Sequence, residues 1–178
     1  MTNPEASECL MHGFNKLAEL LAVTLGPGRG GVLVESASKS GPASLDDAAT
    51  IVRRVTSLPD RREDVGAMIL RNMVWRVHQD VGDGGATAAV LAQEIGAEAT
   101  RYIAVGANPE LVKTGIIMAG KEASTALKEM ATPVNGEEEI TAVARAITGD
   151  EHLSLVLGEM YDLLGPHGHI TVEKYAAR

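Results

Sequence analysis

The 178-residue chain has one cysteine, Cys9, so no internal disulfide can brace it. A lone thiol fits a reducing compartment, and stability must then come from an apolar core. Aromatic residues are scarce, one Trp, one Phe and three Tyr, or 3% of the chain. Stacking platforms for bases need more than this. Basic residues are outnumbered, 16 Lys and Arg against 24 Asp and Glu, for a net charge of −8. Nucleic acid and anionic membrane surfaces both attract a net basic face, so neither is an expected partner. No run approaches the roughly 20 apolar residues of a membrane helix. The N-terminus, Met-Thr-Asn-Pro-Glu-Ala-Ser-Glu, lacks the basic and apolar regions of a secretory leader. The expectation is a soluble, cytoplasmic protein.

Hydrophobic residues make up 45% of the chain and charged residues 22%, enough to bury a core in one or two domains. The periodicity is mainly helical. Leu10, Phe14, Leu17 and Leu21 form one stripe of a first helix ending near Thr24. Val32–Val34 is a short β-type run with no hairpin signal after it. Ser44 followed by Asp47 resembles a capping box, opening a short helix to about Thr56. A long helix follows Pro59, with Val65, Ile69, Met73, Val77 and Val81 as its inward stripe and Met68 widening it. Another spans about Ala86 to Ala104. Asn108-Pro109 is a cap followed by a first-turn proline, and its helix should carry Val112, Ile116, Ala119, Ala123 and Leu127 inward. Shorter helices follow, about Glu137 to Ala146 and Asp150 to Leu164. Ile170-Thr171-Val172 should begin a strand. These elements predict long antiparallel helices at Asp60–Val81, Ala86–Ala104 and Pro109–Met130 packed as a bundle.

Two glycine-rich breaks carry the chemistry. One is Thr24-Leu25-Gly26-Pro27-Gly28-Arg29-Gly30-Gly31; the other is Gly82-Asp83-Gly84-Gly85-Ala86-Thr87. Glycine lets backbone N–H groups approach an anion, and a helix starting near Ala86 would aim its positive end at it. Asp83 beside that end suits a hard cation such as Mg²⁺. The plainer alternative is that both breaks only end helices and that Asp83 is an N-cap. Asp46-Asp47 at a helix start equally fits dipole compensation. Neither break is a Walker A loop. His12, His78, His152, His167 and His169 have no zinc-like spacing. Cys9 reads as a small core residue and Trp75 as packing.

The ordered motifs resemble the GroEL-type chaperonins. Gly13-Phe14-Asn15-Lys16-Leu17-Ala18-Glu19 running into Val23-Thr24-Leu25-Gly26-Pro27 is similar to that family's first helix and phosphate loop. Gly66-Ala67-Met68, then Gly82-Asp83-Gly84, then Thr87-Ala88-Ala89-Val90-Leu91-Ala92, fall at the family's spacing. Ala107-Asn108-Pro109 with Lys113-Thr114-Gly115-Ile116, and Gly168-His169-Ile170-Thr171-Val172-Glu173, extend the likeness from about Ser7 to Glu173.

The resemblance implies a mainly α, equatorial-type helical bundle with a few short strands, incomplete relative to the family. Residues 1–132 would be a first equatorial, ATP-binding segment. Residues 133–178 would be a first intermediate segment leading toward an apical domain that is missing. The family's members are double-ring ATPases that enclose unfolded polypeptides, so the implied partners are such polypeptides and other chaperonin subunits, with self-association. The implied cofactors are ATP and Mg²⁺, bound weakly or not at all by this chain alone, because later adenine-binding and catalytic segments are absent. By resemblance Thr24, Leu25, Gly26 and Pro27 contact phosphate, Asp83 holds Mg²⁺, and Gly84, Gly85, Ala86 and Thr87 complete the cofactor loop. Asp47 takes the catalytic place of an aspartate that positions water. Two of the family's threonines are here Gly85 and Ala86, and an expected lysine is Asp46. The expected function is that of a chaperonin-like protein or N-terminal fragment. The alternatives are a catalytically silent interaction and oligomerisation module derived from a chaperonin, and an unrelated phosphohydrolase using Asp46, Asp47, Asp80 and Asp83.

Overall fold

The computed structural model describes residues 4–26, 30–35, 41–165 and 168–171. Its elements run α1 (Pro4–Ala22), β1 (Val32–Val34), β2 (Ala43–Leu45), α2 (Ala48–Arg54), α3 (Arg61–Val81), α4 (Gly85–Ala104), α5 (Pro109–Met130), α6 (Gly136–Thr148) and α7 (Glu151–Leu164). The mainly helical class and the bounds of the long helices agree with the sequence reading. The chain divides into two compact units, Met1–Ile116 and Ile117–Arg178, so the division falls inside α5.

The first unit is built on α1, α3 and α4, with α2 packed across them. Leu17 and Leu21 of α1 are buried with Leu70 and Val74 of α3, Ile51 and Val52 of α2, and Ala86 and Ala89 of α4. The α1 stripe is as expected. The α3 stripe is not. Val65, Ile69 and Val81 are 53%, 49% and 74% exposed, whereas Gly66, Ala67, Leu70 and Val74 face the core. The reason is a backbone-to-backbone crossing. A Cβ at Gly66 would overlap the Leu10 carbonyl oxygen, and one at Gly13 would overlap that of Glu63. Only the side of α3 bearing glycine and alanine admits α1 this closely, and that requirement overrides the larger apolar side chains.

Polar contacts hold the same crossing. Glu63 lies between Lys16 Nζ and His12 Nδ1, both at 2.6 Å. Asp60 caps α3 by accepting from the Arg62 and Glu63 N–H groups at 2.7 and 3.4 Å. The Lys16 and then the His12 hydrogen bond hold the Glu63 carboxyl below its ordinary value, against a smaller opposing effect of desolvation.

The sequence shows no hairpin signal after Val32–Val34, leaving another chain or a neighbouring segment as its partner, and it suggests a capping box at Ser44. The partner is a neighbouring segment, and the capping box is corrected. β1 pairs antiparallel with β2 in the register Val32 to Leu45, Leu33 to Ser44 and Val34 to Ala43. Ser44 is therefore a strand residue, and Asp47 alone caps α2. Ala43-Ser44-Leu45 has no β-branched residue, so propensity gave no sign of it.

Asn108 opens α5 as expected, its Oδ1 accepting from the Glu110 N–H at 2.9 Å. The inward face assigned to α5 is not buried: the helix has no buried residue, and Leu127 is 67% exposed. The bundle thus consists of α1, α3 and α4. Periodicity identifies an apolar face but not which element covers it.

In the second unit α6 and α7 pack on each other through small residues. Thr141 and Gly158 meet so closely that a Cβ on the glycine would overlap the threonine hydroxyl. Buried Ser154 donates to the Asp150 carbonyl and shares a 2.8 Å bond with Thr148 Oγ1. Asp150 caps α7 through the Leu153 N–H at 2.9 Å. The strand expected at Ile170 is not present over the described residues 168–171, and Val172 lies outside them. A strand needs a ladder partner, and the sheet among the described residues contains β1 and β2 alone.

One substitution should have opposite effects at two glycines. Gly66→Ala should cost about 3 kcal/mol or more, because the helices must separate. Gly115→Ala, in open space on α5, should stabilise by up to about 1 kcal/mol through helix propensity. Denaturant melts of both variants give the comparison. Acid should also act at the crossing. A depressed folded pKa gives stability that is present above the unfolded value and is lost as pH falls toward the folded one. Melting temperature should therefore drop below about pH 4.3, the ordinary glutamate value, and Glu63→Gln should make that drop shallower.

Candidate functional site

Three distant segments meet at one end of the first unit. Thr24 and Leu25 follow α1, Asp46 to Ala48 join β2 to α2, and Asp83 to Thr87 join α3 to α4. They line a cleft of about 140 Å³.

The α3–α4 turn is fixed locally. Gly82 closes α3 with φ 85° and donates its N–H to the His78 carbonyl at 2.8 Å. Gly84 has φ 81°, a left-handed conformation that glycine adopts without strain. Gly84, not Asp83, is the N-cap of α4, which corrects the plainer reading of Asp83. Asp83 Oδ1 instead accepts from the Gly84 N–H at 2.6 Å, which leaves Oδ2 available to a cation.

No side chain caps α4. The helical ladder begins with the Ala88 N–H donating to the Gly84 carbonyl at 2.9 Å. The N–H groups of Gly85, Ala86 and Thr87 precede it and lie in the cleft wall, where helix geometry leaves such donors unpaired. Gly85 and Ala86 are buried. A Cβ at Gly85 would stand 3.0 Å from Val74 Cγ1 and 3.2 Å from Ala48 Cβ, so glycine fits a space that the neighbours nearly fill.

The opposite wall offers fewer free donors. The Thr24 N–H and hydroxyl both donate to the Leu21 carbonyl, at 3.0 and 2.8 Å, and the Leu25 N–H donates to the Ala22 carbonyl at 3.1 Å. Gly26, with φ 108°, follows directly. Pro27, the remaining residue of that loop assigned to phosphate, lies outside the described residues.

Asp47 is the N-cap of α2. Its Oδ2 accepts from the Thr50 N–H at 2.7 Å and the Thr50 hydroxyl at 2.6 Å, and its Oδ1 from the Ala49 N–H at 3.4 Å. Partial burial pushes its carboxyl up. The Thr50 and Ala49 hydrogen bonds, with the nearby His78 charge, outweigh this and hold it below the ordinary value. It is an anion at neutral pH and a weak base, suited to orienting water rather than abstracting a proton.

Asp46, Asp47 and Asp83 give the cleft three carboxylates, and among the described residues no lysine or arginine lines it. Among the described residues, no group of three or more His, Cys, Asp or Glu side chains could hold a metal ion. The three aspartates thus share a cleft without forming a ready cation cage, and Asp80 does not line it. The histidines form no such group either: His12 pairs with Glu63, and His78 stacks on Trp75. Cys9 is half-buried. Sequence reasoning missed Ala48 as a lining residue; its place directly after the Asp47 cap was the available signal.

Residues 17–161 match the model of the TCP-1/cpn60 chaperonin family. The chain belongs to that family. It is also 38% identical over 162 residues to chaperonin GroEL 1 of Mycobacterium leprae (strain TN), an alignment covering 91% of this chain and 30% of that protein. The chain thus spans less than a third of the length of this chaperonin relative. All three walls of the cleft fall inside the chaperonin match. No helix among the described residues is long and apolar enough to cross a membrane.

Because Asp47 is a cap as well as a cleft residue, its two roles can be separated. Asp47→Ala should cost about 0.5–2 kcal/mol of stability, while Asp47→Asn, which keeps an acceptor oxygen, should cost little. Chemical denaturation of the pair measures the difference.

Proposed function

We propose that this chaperonin-family chain binds the phosphates of ATP together with Mg²⁺ in the cleft, as the nucleotide-contacting part of a chaperonin subunit. The observation that carries this is the meeting of Thr24, Asp47 and Asp83 at the uncapped N-terminus of α4. In this reading residues 1–132 are the first equatorial segment and residues 133–178 the first intermediate segment. Self-association and contact with unfolded polypeptides follow from the family.

The residues present fit a phosphate and a cation bound together better than either alone. Uncapped N–H groups and the helix dipole favour an anion. The surrounding aspartates repel a bare anion, and they do not assemble a metal site unaided. Mg²⁺ commonly takes one or two carboxylates plus phosphate oxygens; when bound here it would neutralise the wall and polarise the phosphates. Asp83 would hold it through Oδ2. Gly85, Ala86 and Thr87 would donate backbone N–H groups to phosphate, and Asp47 would orient water. Gly85 and Ala86 lack the hydroxyls that the resemblance leads one to expect, and Asp46 adds negative charge. Each of these changes weakens the site by about 1 kcal/mol. About 140 Å³ is also small against the roughly 300–1,000 Å³ of ordinary ligand pockets, so it suits phosphate groups and leaves the base outside.

A second reading, a silent oligomerisation module, is favoured by α5, whose apolar residues include Leu127 and Met130 at 67% and 78% exposure. Sedimentation over a concentration series tests self-association independently of nucleotide.

Titrating Mg²⁺ with ATP into the labelled chain should shift the amide signals of Gly84, Gly85, Ala86 and Thr87. Binding should be weak and turnover slow. Asp83→Ala should abolish the Mg²⁺-dependent part of the shift. Shifts confined to other residues, or unaffected by Asp83→Ala, would overturn the proposal.

A further inference from the structure

We propose that Arg53, Trp75 and His78 form a positioning stack that couples loading of the phosphate cleft to the seating of α2, with Trp75 as its built-in reporter. This rests on the reading of the cleft given above.

The stack connects both acidic walls. The Arg53 guanidinium, in the last turn of α2, lies 5.0 Å from the centroid of the Trp75 ring. Trp75 also stacks on His78, with centroids 5.4 Å apart and planes 26° from parallel. The His78 carbonyl accepts from Gly82, where the turn carrying Asp83 begins. His78 also acts electrostatically on Asp47, at the opposite end of α2 from Arg53. The result is a closed circuit from Asp47 along α2 to Arg53, across Trp75 to His78, and back to the cleft.

α2 has only seven residues, too short to be stable alone; Ile51 and Val52 seat its middle in the core, and its two ends are held separately. Asp47 holds one end and the Arg53–Trp75 contact the other. With its middle seated, a cation and phosphate drawing on Asp47 tilt α2 about Ile51 and Val52, and that tilt shifts Arg53 over the indole. Cation–π and aromatic contacts are individually modest, which lets them yield to ligand binding. His78 is thus a positioning residue for Asp47. Trp75, the chain's one tryptophan, gives an emission signal free of background from others.

The test follows Trp75 emission in the full chain during titration with Mg²⁺ plus inorganic phosphate and, separately, Mg²⁺ plus ATP. NMR records the Gly84–Thr87 amides in parallel. Emission and amide shifts should saturate together. Arg53→Met should remove the emission response and weaken binding about two- to fivefold, with Arg53→Lys restoring the response. His78→Gln should act like Arg53→Met, whereas His78→Phe, which keeps the stack, should retain the emission response. Saturating amide shifts with flat Trp75 emission would overturn the stack while leaving the cleft reading intact. If neither signal responds, the cleft reading fails, and the ligand-free chain decides the positioning role. Exchange of the Ala49 and Thr50 amides, which bond Asp47, should rise several-fold in Arg53→Met and His78→Gln and be restored in Arg53→Lys and His78→Phe. Unchanged exchange would overturn the stack as well.

Discussion

The contact of α1 with α3 at Gly13 and Gly66 sets the geometry of everything around it. Two helical backbones meet where a single methyl group on either would collide with a carbonyl. From this crossing both helices run toward the cleft, which residues after their C-terminal ends border. Leu17 and Leu21 then meet Leu70 and Val74, and α2 and α4 close over that core. The Lys16–Glu63–His12 contacts keep the crossing in register. The cleft is therefore a product of how closely two helices can lie, and only secondarily of its own loops.

Much of this was legible in the residues, but unevenly. Helix ends were readable because Asp60, Asn108, Asp150 and Gly165 are chemically suited to caps, and each acts as one. The buried face of α3 was not readable from hydrophobicity. Val65 and Ile69 are larger and more apolar than Gly66 and Ala67, yet close approach favours the smaller pair. β2 was invisible because its three residues have no strand propensity of their own and are ordered by their pairing with Val32–Val34. The cleft residues could be nominated from ordered motifs, since Asp47, Asp83 and Gly84 lie in segments with glycine or capping chemistry. Their convergence depends on tertiary packing and could not come from spacing.

The cleft also illustrates how structural and chemical roles share one side chain. Asp47 caps the start of a helix and presents charge to a cavity. Its hydrogen bonds from Thr50 and Ala49 keep it ionised, and the same bonds limit how far it can turn toward a ligand. Asp83 is less committed, with one oxygen engaged by Gly84. The two acids therefore differ in mobility more than in charge: one is anchored to a helix, the other mounted on a glycine turn.

Gly85 has an evolutionary consequence. Val74 and Ala48 stand against it so closely that a β-carbon could enter only if they gave way by a few tenths of an ångström. A threonine at position 85 would press on both neighbours, and Ala48 has almost nothing left to lose. Val74 is part of the central core, so shrinking it would open a void beside Leu70. The three positions are therefore bound in their mutational order, because a hydroxyl at 85 is accessible only through an intermediate that is overpacked or hollow.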